Sequence, residues 1–288
     1  MTSAEYVIGI DGGGTGCRVT VCDRAGNRLS QAIGGPANYV TDPASAIQNV
    51  LAATHKATFS VMDAPLDLTQ CVAHIGLAGM MDKTDAGNIA AAMPFARVGV
   101  TDDRATTVAG ALRCADGLLI SVGTGSFVAA QRGGVQRFLG GWGHVLGDQA
   151  SGAWLGLQVM RLTALANDGL MHHSDLTQHI SARCGGTSIK LVSFVKDAQP
   201  PDYAALAPAV IEAANAGDRH GTELMQRGAD YLSSCLKTLD FSNSEALCLT
   251  GGIGPHYAAY LEPQAQSCLQ PPAGTALDGA VHLARELL

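Results

Sequence analysis

The sequence predicts an α/β protein made of two duplicated lobes. Tyr6–Gly35 and Leu118–Gly141 repeat one order of features: a strand, a corner rich in glycine and threonine, a second strand, a glycine turn, a third strand and Gly-Gly. Strand-like apolar runs and helical spacing fill the remainder. With 288 residues, 47% of them apolar, the chain is long enough for two buried cores. We therefore expect two lobes that each present a glycine corner to a shared cleft.

The first lobe begins with a short apolar run. Tyr6–Ile10 contains β-branched residues and is predicted to be a buried strand. Cys17–Asp23 and Arg28–Ile33 complete a meander with it. Asp42 and Pro43 then supply the N-cap and the first residue of a helix. The helices predicted in this lobe span residues 43–60, 84–92 and 103–114, and the further strands span 71–75 and 97–100.

The second lobe repeats the meander and then becomes mostly helical. Its predicted strands are residues 118–122, 127–131, 135–139 and 246–249, and its predicted helices are residues 151–167, 174–184, 188–195, 203–216 and 218–239. Pro255 is expected to begin a further helix. Residues 274–288 are predicted to form a closing helix. The predicted lobes are residues 1–110, joined by the helix at 274–288, and residues 111–273.

Charge and hydropathy exclude two classes of partner. The formal net charge is −7 and there is no Lys/Arg run, which argues against general nucleic-acid binding. No apolar run approaches the roughly 18 residues of a membrane span, and no basic segment precedes an apolar one at the N-terminus. We expect a cytoplasmic protein with no membrane partner.

The eight cysteines are scattered, and no two of them form a CxxC pair. This spacing predicts reduced, buried thiols rather than a metal or iron–sulfur site.

The stretch after the first strand has the composition of a phosphate loop. The backbone N–H groups of residues 12–14 can approach a polyanion closely because glycine has no Cβ. The Asp11 carboxylate can hold a hydrated divalent metal beside those phosphates. The alternative is a glycine-rich hairpin turn that follows a solvated aspartate.

Three glycine motifs and one longer stretch resemble a known family. Ile10–Thr15, Ser121–Ser126 and Leu249–Gly254 resemble, in order and spacing, the phosphate-1, phosphate-2 and adenosine motifs of the actin-like ATPase and sugar-kinase superfamily. Gly140–Gly156 looks like the GGWG…GDEGSxxW stretch of the N-acetylglucosamine kinase and BadF/BadG ATPase family, and is most similar to its bacterial glucosamine kinase branch. The resemblance implies two actin-like, ribonuclease H-like lobes with a central cleft, and the use of ATP and Mg²⁺.

The resemblance also implies a nucleotide site. Asp11 would orient Mg²⁺, and Gly251 and Gly252 would let adenosine lie against the backbone. The residues implied to hold the ATP phosphates are Gly12, Gly13, Gly14, Thr15, Gly123, Thr124 and Gly125. The alternative for the second corner is a turn whose Thr124 and Ser126 hydroxyls bind no ligand.

Asp103 is the residue that the resemblance implies as the general base. A carboxylate near a sugar 6-hydroxyl can accept its proton while the oxygen attacks the γ-phosphate. Asp102 occupies the position where the family usually has Asn, and it is the alternative base. Either aspartate is also a natural N-cap for the helix that follows.

The implied sugar site comprises Asn38, Asp103, Gly141, Trp142 and Asp148. Trp142 is equally consistent with a core residue, and Asn38 with a turn residue. His144 has no counterpart in the motif. Gln149 stands where the family has Glu, which removes one acid from the rim of the site and leaves the choice of substrate open.

The function implied is ATP-dependent phosphorylation of the 6-hydroxyl of glucosamine to give glucosamine 6-phosphate. N-acetylglucosamine is the close alternative substrate. A dehydratase activator with an iron–sulfur cluster and a non-catalytic sugar sensor are alternatives from other classes. Relatives are often dimers, so a homodimer is expected.

Overall fold

The two halves of the chain fold into two five-stranded sheets with one strand order. The computed structural model describes residues 5–62 and 66–288. One compact unit runs to Ala115 and also includes Pro272–Leu288, and the second unit is Asp116–Pro271. We refer to them as unit 1 and unit 2.

The sheet of unit 1 combines a meander with two parallel strands. Its strands are β1 (Tyr6–Gly13), β2 (Gly16–Asp23), β3 (Arg28–Gly34), β4 (Cys71–Leu77) and β5 (Arg97–Asp102). They lie in the order β3-β2-β1-β4-β5. The β1, β2 and β3 strands pair antiparallel, whereas β4 is parallel to β1 and β5 is parallel to β4.

The sheet of unit 2 repeats this topology. Its strands are β6 (Gly117–Val122), β7 (Ser126–Arg132), β8 (Val135–Gly140), β9 (Ala246–Thr250) and β10 (Leu269–Gln270). The order β8-β7-β6-β9-β10 has the same directions, because β6, β7 and β8 form the meander and β9 and β10 are parallel to β6. The predicted α/β class with duplicated lobes is confirmed.

Helices cover both sheets. In unit 1 they are α1 (Pro43–Met62), α2 (Lys83–Ala91), α3 (Asp103–Leu112) and α11 (Ala276–Arg285); in unit 2 they are α4 (Gly152–Asn167), α5 (Asp175–Arg183), α6 (Ser188–Asp197), α7 (Pro200–Ala204), α8 (Ala207–Asn215), α9 (Arg219–Thr238) and α10 (Pro263–Ser267). No helix of the described residues is both long and apolar enough to cross a bilayer.

Two predicted helices differ from the structure. The single helix predicted over residues 203–216 is wrong, because α7 ends at Ala204 and α8 begins at Ala207 with a proline in its first turn. A proline inside a continuous helix would remove a backbone hydrogen bond and clash with the preceding turn. The helix predicted to begin at Pro255 is a 3-10 helix, Gly254–Tyr260, rather than an α-helix.

The helix that closes unit 1 comes from the far end of the described chain. Helix α11 packs on α3 and on β1. A Cβ added to Gly110 of α3 would overlap the Thr275 carbonyl oxygen, and one added to Gly279 of α11 would overlap the Thr106 carbonyl oxygen. The two helices therefore cross with their backbones in contact, which only glycine permits at these positions.

Candidate active site

A tight hairpin joins β1 to β2 at the predicted phosphate loop. Gly13 and Gly16 form the last cross-strand pair, so Gly14 and Thr15 make a two-residue turn, and both are exposed. Among the described residues, no atom lies within 4 Å of where a Cβ on Gly14 would stand. The backbone at this turn is open to a ligand. Packing also favours glycine at position 12, because a Cβ added there would lie 2.5 Å from Leu77 Cδ1.

Asp11 lies in β1 just before this turn. Its side chain is 15% exposed, and Oδ2 lies 3.6 Å from Arg18 Nη2 on β2. Burial raises the pKa of the Asp11 carboxyl, and the Arg18 charge acts in the opposite direction.

The donor set around Asp11 fits Mg²⁺ of the kind that arrives with a nucleotide. Mg²⁺ is commonly held by one or two carboxylates together with water and substrate phosphates. No group of three or more His, Cys, Asp or Glu side chains in the part of the chain that the structure describes could form a dedicated protein cage. One carboxylate beside an open backbone turn is compatible with an ion that arrives with a nucleotide.

The two adjacent aspartates at the start of α3 have different partners. Asp102 is the N-cap: its Oδ1 accepts from the backbone N–H groups of Arg104 (3.0 Å) and Ala105 (3.1 Å). Its Oδ2 also accepts from Arg104 Nη2 at 2.7 Å. No hydrogen bond to the Asp103 carboxylate from another residue is found within residues 5–62 and 66–288. Asp102, rather than Asp103, is therefore the N-cap of α3.

Burial and neighbouring charge act together on Asp103. Burial, the negative charge of Asp102 and the negative charge of Asp11 raise the pKa of Asp103 to about 6, and the Arg104 guanidinium opposes them. A carboxyl with a pKa near the working pH is suited to general-base catalysis.

Asp11 and Asp103 lie at one edge of the sheet. Asp11 is in register with Gly76 on β4, and Gly76 is in register with Thr101 on β5. These three strands are parallel, so their carboxyl ends meet at the same edge. One strand separates β1 from β5, which places their backbones about 10 Å apart.

Asn38 lies beside the hairpin of unit 1. The neighbouring Ala37 N–H donates to the Gly13 carbonyl oxygen at 2.9 Å. Asn38 Oδ1 accepts from the backbone N–H of Thr41 (3.2 Å) and from its hydroxyl (3.1 Å). The side-chain carbonyl is therefore committed to a local turn, and the amide NH₂ is the group that Asn38 can offer to a ligand.

The corresponding corner of unit 2 joins β6 to β7 and contacts the start of α4. Val122 and Ser126 pair across it, and Thr124 at its tip is exposed. Gly152 N–H donates to the Gly123 carbonyl oxygen at 2.8 Å, and Ala153 N–H to that of Thr124 at 3.2 Å. These bonds hold the predicted phosphate-binding corner against the helix.

The adenosine motif lies against this same corner. Gly251 has φ +78°, and a Cβ there would overlap the Val122 carbonyl oxygen and lie 3.1 Å from the Gly123 backbone nitrogen. Gly251 therefore needs to be glycine for both its conformation and its packing. At Gly252, by contrast, a Cβ would meet no atom of the described residues within 4 Å, so the backbone there is open.

Asp148 is a buried carboxylate with one oxygen that lacks a partner. It has φ +56°, and only 7% of the residue is exposed. Burial raises its pKa, whereas the backbone N–H groups of Ser126 and Gly143 and the His144 charge oppose the rise. Within the described residues, Oδ1 has no hydrogen-bond partner. A buried acceptor without a donor is costly, and a ligand hydroxyl would satisfy it.

The loop before Asp148 is exposed. Gly141 N–H ties its start to the Ser126 carbonyl oxygen at 2.9 Å. Trp142, Val145 and Leu146 are 71, 86 and 82% exposed. Trp142 is therefore not a core residue, and its indole is accessible to a ligand.

His144, to which sequence reasoning assigned no role, interacts electrostatically with Asp148. Its ring centroid lies 5.2 Å from that of Tyr203. Its charge acts to lower the pKa of Asp148. Its buried Nδ1 has no hydrogen-bond partner in the described part of the chain. Its position four residues before Asp148 was the only signal, because a single histidine in a loop carries no periodic pattern.

The structure thus gathers the predicted residues into two groups. Unit 1 brings together Asp11, the hairpin, Asn38 and Asp103. Unit 2 brings together its own corner, the Gly251-Gly252 backbone and Asp148.

Comparison with known proteins gives consistent matches. A model of the BadF/BadG/BcrA/BcrD ATPase family matches residues 8–266. The glucosamine kinase GspK of Vibrio cholerae is 30% identical over 282 residues, which cover 97% of this chain and 96% of that protein.

Two solved structures are also similar. A candidate N-acetylglucosamine kinase from Chromobacterium violaceum has a TM-score of 0.91 and 33% identity over 97% of this chain and 99% of its own. A ROK family glucokinase from Streptomyces griseus, in complex with glucose and AMPPNP, has a TM-score of 0.55 and 17% identity over 98% of both chains. The second likeness concerns the fold alone, which is that of actin-like ATPases and sugar kinases.

Proposed function

This chain belongs to the BadF/BadG/BcrA/BcrD ATPase family, and from that premise we propose that it is an ATP-dependent amino-sugar kinase that converts glucosamine to glucosamine 6-phosphate. The observation that carries the proposal is the Asp103 carboxylate. Asp103 directly follows β5 and lies in the first turn of α3, and Asp102 caps that helix in its place. The pKa of Asp103 is raised to about 6.

Asp103 acts as the general base. As the sugar 6-oxygen forms its bond to the γ-phosphorus, the bond from phosphorus to the β,γ-bridging oxygen breaks and ADP leaves. The proton of the 6-hydroxyl passes to Asp103. A carboxylate that receives no hydrogen bond from another residue has lone pairs available for that proton.

In unit 1, the backbone of residues 12–15 is the proposed phosphate-binding loop. In unit 2, residues 123–125 are proposed to bind ATP phosphate, and Gly251 and Gly252 to lie against adenosine. The open space at Gly14 and Gly252 supports this assignment, because a ligand can reach the backbone there. Phosphoryl transfer depends mainly on positioning and charge neutralisation, which N–H groups supply. Asp11 holds Mg²⁺, which when bound neutralises the phosphate charge.

The sugar is recognised by hydroxyl hydrogen bonds. Asp148 Oδ1 accepts from a ring hydroxyl, which supplies the partner that this buried oxygen otherwise lacks. Asn38 donates through its amide, and Gly141 and Trp142 form the exposed wall. The 30% identity to a glucosamine kinase over nearly all of both chains favours glucosamine.

N-acetylglucosamine is the second candidate substrate. It is favoured by the likeness to the Chromobacterium violaceum structure, at 33% identity. The two sugars differ only at C2, so the hydroxyls that Asn38, Asp103 and Asp148 would contact are common to both.

A coupled assay of ADP release tests the proposal. Glucosamine, N-acetylglucosamine, glucose and buffer alone are compared for the unaltered protein and for Asp103→Asn. We expect glucosamine to give the highest kcat/KM, and Asp103→Asn to lose roughly 10²–10⁴-fold in rate while sugar binding stays within about tenfold. ADP release that no sugar stimulates, or full activity in Asp103→Asn, would contradict it.

Three finer expectations accompany the proposal. Chelation of Mg²⁺ should stop turnover, and added Mg²⁺ should restore it. The use of ATP and the eight free cysteines support a cytoplasmic location. A homodimer is expected from the resemblance, and sedimentation velocity measures it directly.

A further inference from the structure

A second polar cavity lies in unit 1, away from the residues discussed so far. It has a volume of about 470 Å³, within the usual range for small-molecule sites. Its walls come from the β2–β3 hairpin, the residue after α3 and one face of α11. The side chains that matter here are Cys22, Arg28, Arg113, Asp278, His282 and Arg285.

The cavity is at the opposite end of the strands from Asp11. Cys22 pairs with Val7 on β1, whereas Arg18 pairs with Asp11. Four residues of strand separate these pairs, which is about 14 Å. Helix α3 runs between the two places, because Asp103 begins it and Arg113 is its C-cap. The cavity is therefore not part of the proposed kinase site.

Positive charge exceeds negative charge in the lining. Three guanidinium groups face one carboxylate, in a protein whose net charge is −7. That carboxylate is already engaged: Asp278 Oδ1 lies 2.9 Å from Arg28 Nη2, and its Oδ2 accepts from the Thr275 N–H (2.8 Å) and hydroxyl (2.7 Å). The charges of both Arg28 and Arg113 act on Asp278 and help to hold its pKa down, so one carboxylate faces three guanidinium groups in this lining.

Each of the other two arginines is held towards the cavity by its surroundings. Arg113 has φ +55°, a left-handed conformation that is strained for this residue, and its Nη1 donates to the Asp278 carbonyl oxygen at 3.4 Å. Arg285 lies over the turn, with Nη1 3.1 Å from where a Cβ on Gly26 would stand. Across the described residues, Arg285 forms no ion pair. Any side chain at position 26 would meet that guanidinium.

We propose that this cavity binds the phosphate group of a small molecule, with Arg28, Arg113 and Arg285 as its ligands. Arginine presents a planar set of donors that matches phosphate oxygens, and charge-assisted bonds of this kind are strong. His282 forms part of the wall; its Nε2 lies 3.5 Å from Cys114 Sγ and 3.5 Å from Glu286 Oε1. The phosphate belongs either to the free ion or to a phosphate monoester.

Isothermal titration of the 288-residue chain tests this without any assay of activity. Inorganic phosphate and glucosamine 6-phosphate are titrated at constant ionic strength into the unaltered protein, Arg285→Gln and Arg183→Gln. Arg183 is an exposed arginine on α5 of unit 2, so it gives a matched loss of one charge. Phosphate bound at the kinase site would persist in both variants, so the failure of one proposal does not imply failure of the other.

We expect Arg285→Gln to weaken binding of at least one titrant by about tenfold or more, and Arg183→Gln to change it less than about twofold. The tighter titrant identifies the free ion or the monoester as the source. Arg285 is exposed, so its variant should fold, and circular dichroism checks this; Arg28→Gln is the second variant. Absence of binding in the unaltered protein, or equal affinity in it and both cavity variants, would overturn the proposal.

Discussion

The two adjacent aspartates at the start of α3 have different roles, because Asp102 is the N-cap and Asp103 is the first residue inside the helix. Asp102 closes the helix N-terminus with two backbone bonds and pairs with Arg104. Asp103 is inside the first turn, where its side chain is not needed as a cap. The negative charge of Asp102 then becomes part of the surroundings that raise the pKa of Asp103.

The pH profile of kcat/KM should report this arrangement. The pKa of Asp103 is about 6, so activity should fall as the pH drops below that value, because a protonated Asp103 cannot accept the substrate proton. In Asp102→Asn, a like charge is removed while Asn still caps the helix. The pKa of Asp103 should then fall, and the acid limb should move to lower pH.

The profile is measured with both proteins under the same conditions, so titration of the substrate amine cancels in the comparison. Asp103→Asn is the control that should show no acid limb because it has little activity. An acid limb that stays in place or moves to higher pH in Asp102→Asn would count against Asp103 as the base.

Asp148 gives a second prediction at this scale. Asp148→Asn keeps the size of the side chain and tolerates the left-handed backbone, but it removes the charge. We expect KM for the sugar to rise by roughly 10- to 100-fold, the worth of a hydrogen bond to a charged group, with KM for ATP little changed. Asp116→Asn is a control from the same unit, since Asp116 accepts from the Gly133 N–H in a turn. Equal sugar KM in both variants would remove Asp148 from the sugar site.

Sequence motifs mark the positions of these residues, but they do not predict what surrounds each one. Asp103 and Asp148 were chosen because family motifs mark their positions. The hydrogen bonds that Asn38 Oδ1 accepts from Thr41 agree with the turn alternative for Asn38. No sequence pattern predicted the left-handed backbone of Asp148.

At the scale of elements, close backbone contact joins α3 to α11. The contact needs glycine at residues 110 and 279, one on each helix. Helix α3 carries Asp103 at one end and is followed by Arg113 at the other, so this crossing holds both the proposed base and one wall of the cavity in unit 1.

Replacing the glycine of α3 should weaken the fold. Gly110→Ala places a Cβ onto the Thr275 carbonyl oxygen, and we expect the free energy of unfolding to fall by about 1–3 kcal/mol or more. Gly87→Ala in α2 is the matched control, because a Cβ there meets no atom of the described residues within 4 Å. It should leave stability unchanged or raise it by up to about 1 kcal/mol. Urea unfolding measures both; equal effects would contradict the packing argument.

Most elements were predictable from the sequence for identifiable reasons. The strands of each meander are short apolar runs between glycine turns, and such runs are a strong signal. The division of residues 203–216 into two helices was not predicted, because apolar spacing continues across the break and only Pro208 marks it.

At the scale of the molecule, the repeated order of strands and glycine corners predicted the duplication of the sheet. The parallel strands β4 and β5, and β9 and β10, could not be ordered within their sheets from the sequence, because strand neighbours depend on long-range pairing. Each unit has a hydrophobic core of its own residues.

The separate cores predict that loss of α11 affects one unit. In a chain that ends at Pro271, unit 1 loses the helix that covers β1 and α3 and should unfold, whereas unit 2 retains all of its core. Both tryptophans, Trp142 and Trp154, belong to unit 2. Their emission should therefore stay native-like while helical circular dichroism falls. Denatured-like tryptophan emission in the shortened chain would show that unit 2 depends on α11.

The place of α11 in the chain also sets an order of events during translation. The strands of unit 1 leave the ribosome before unit 2, yet the helix that covers them is made only after every residue of unit 2. At roughly 5–20 residues per second, the 156 residues of unit 2 delay that helix by about 8–30 s. For that interval β1 has an uncovered apolar face on the nascent polypeptide, so strands made before unit 2 reach their native packing only after unit 2 has been made.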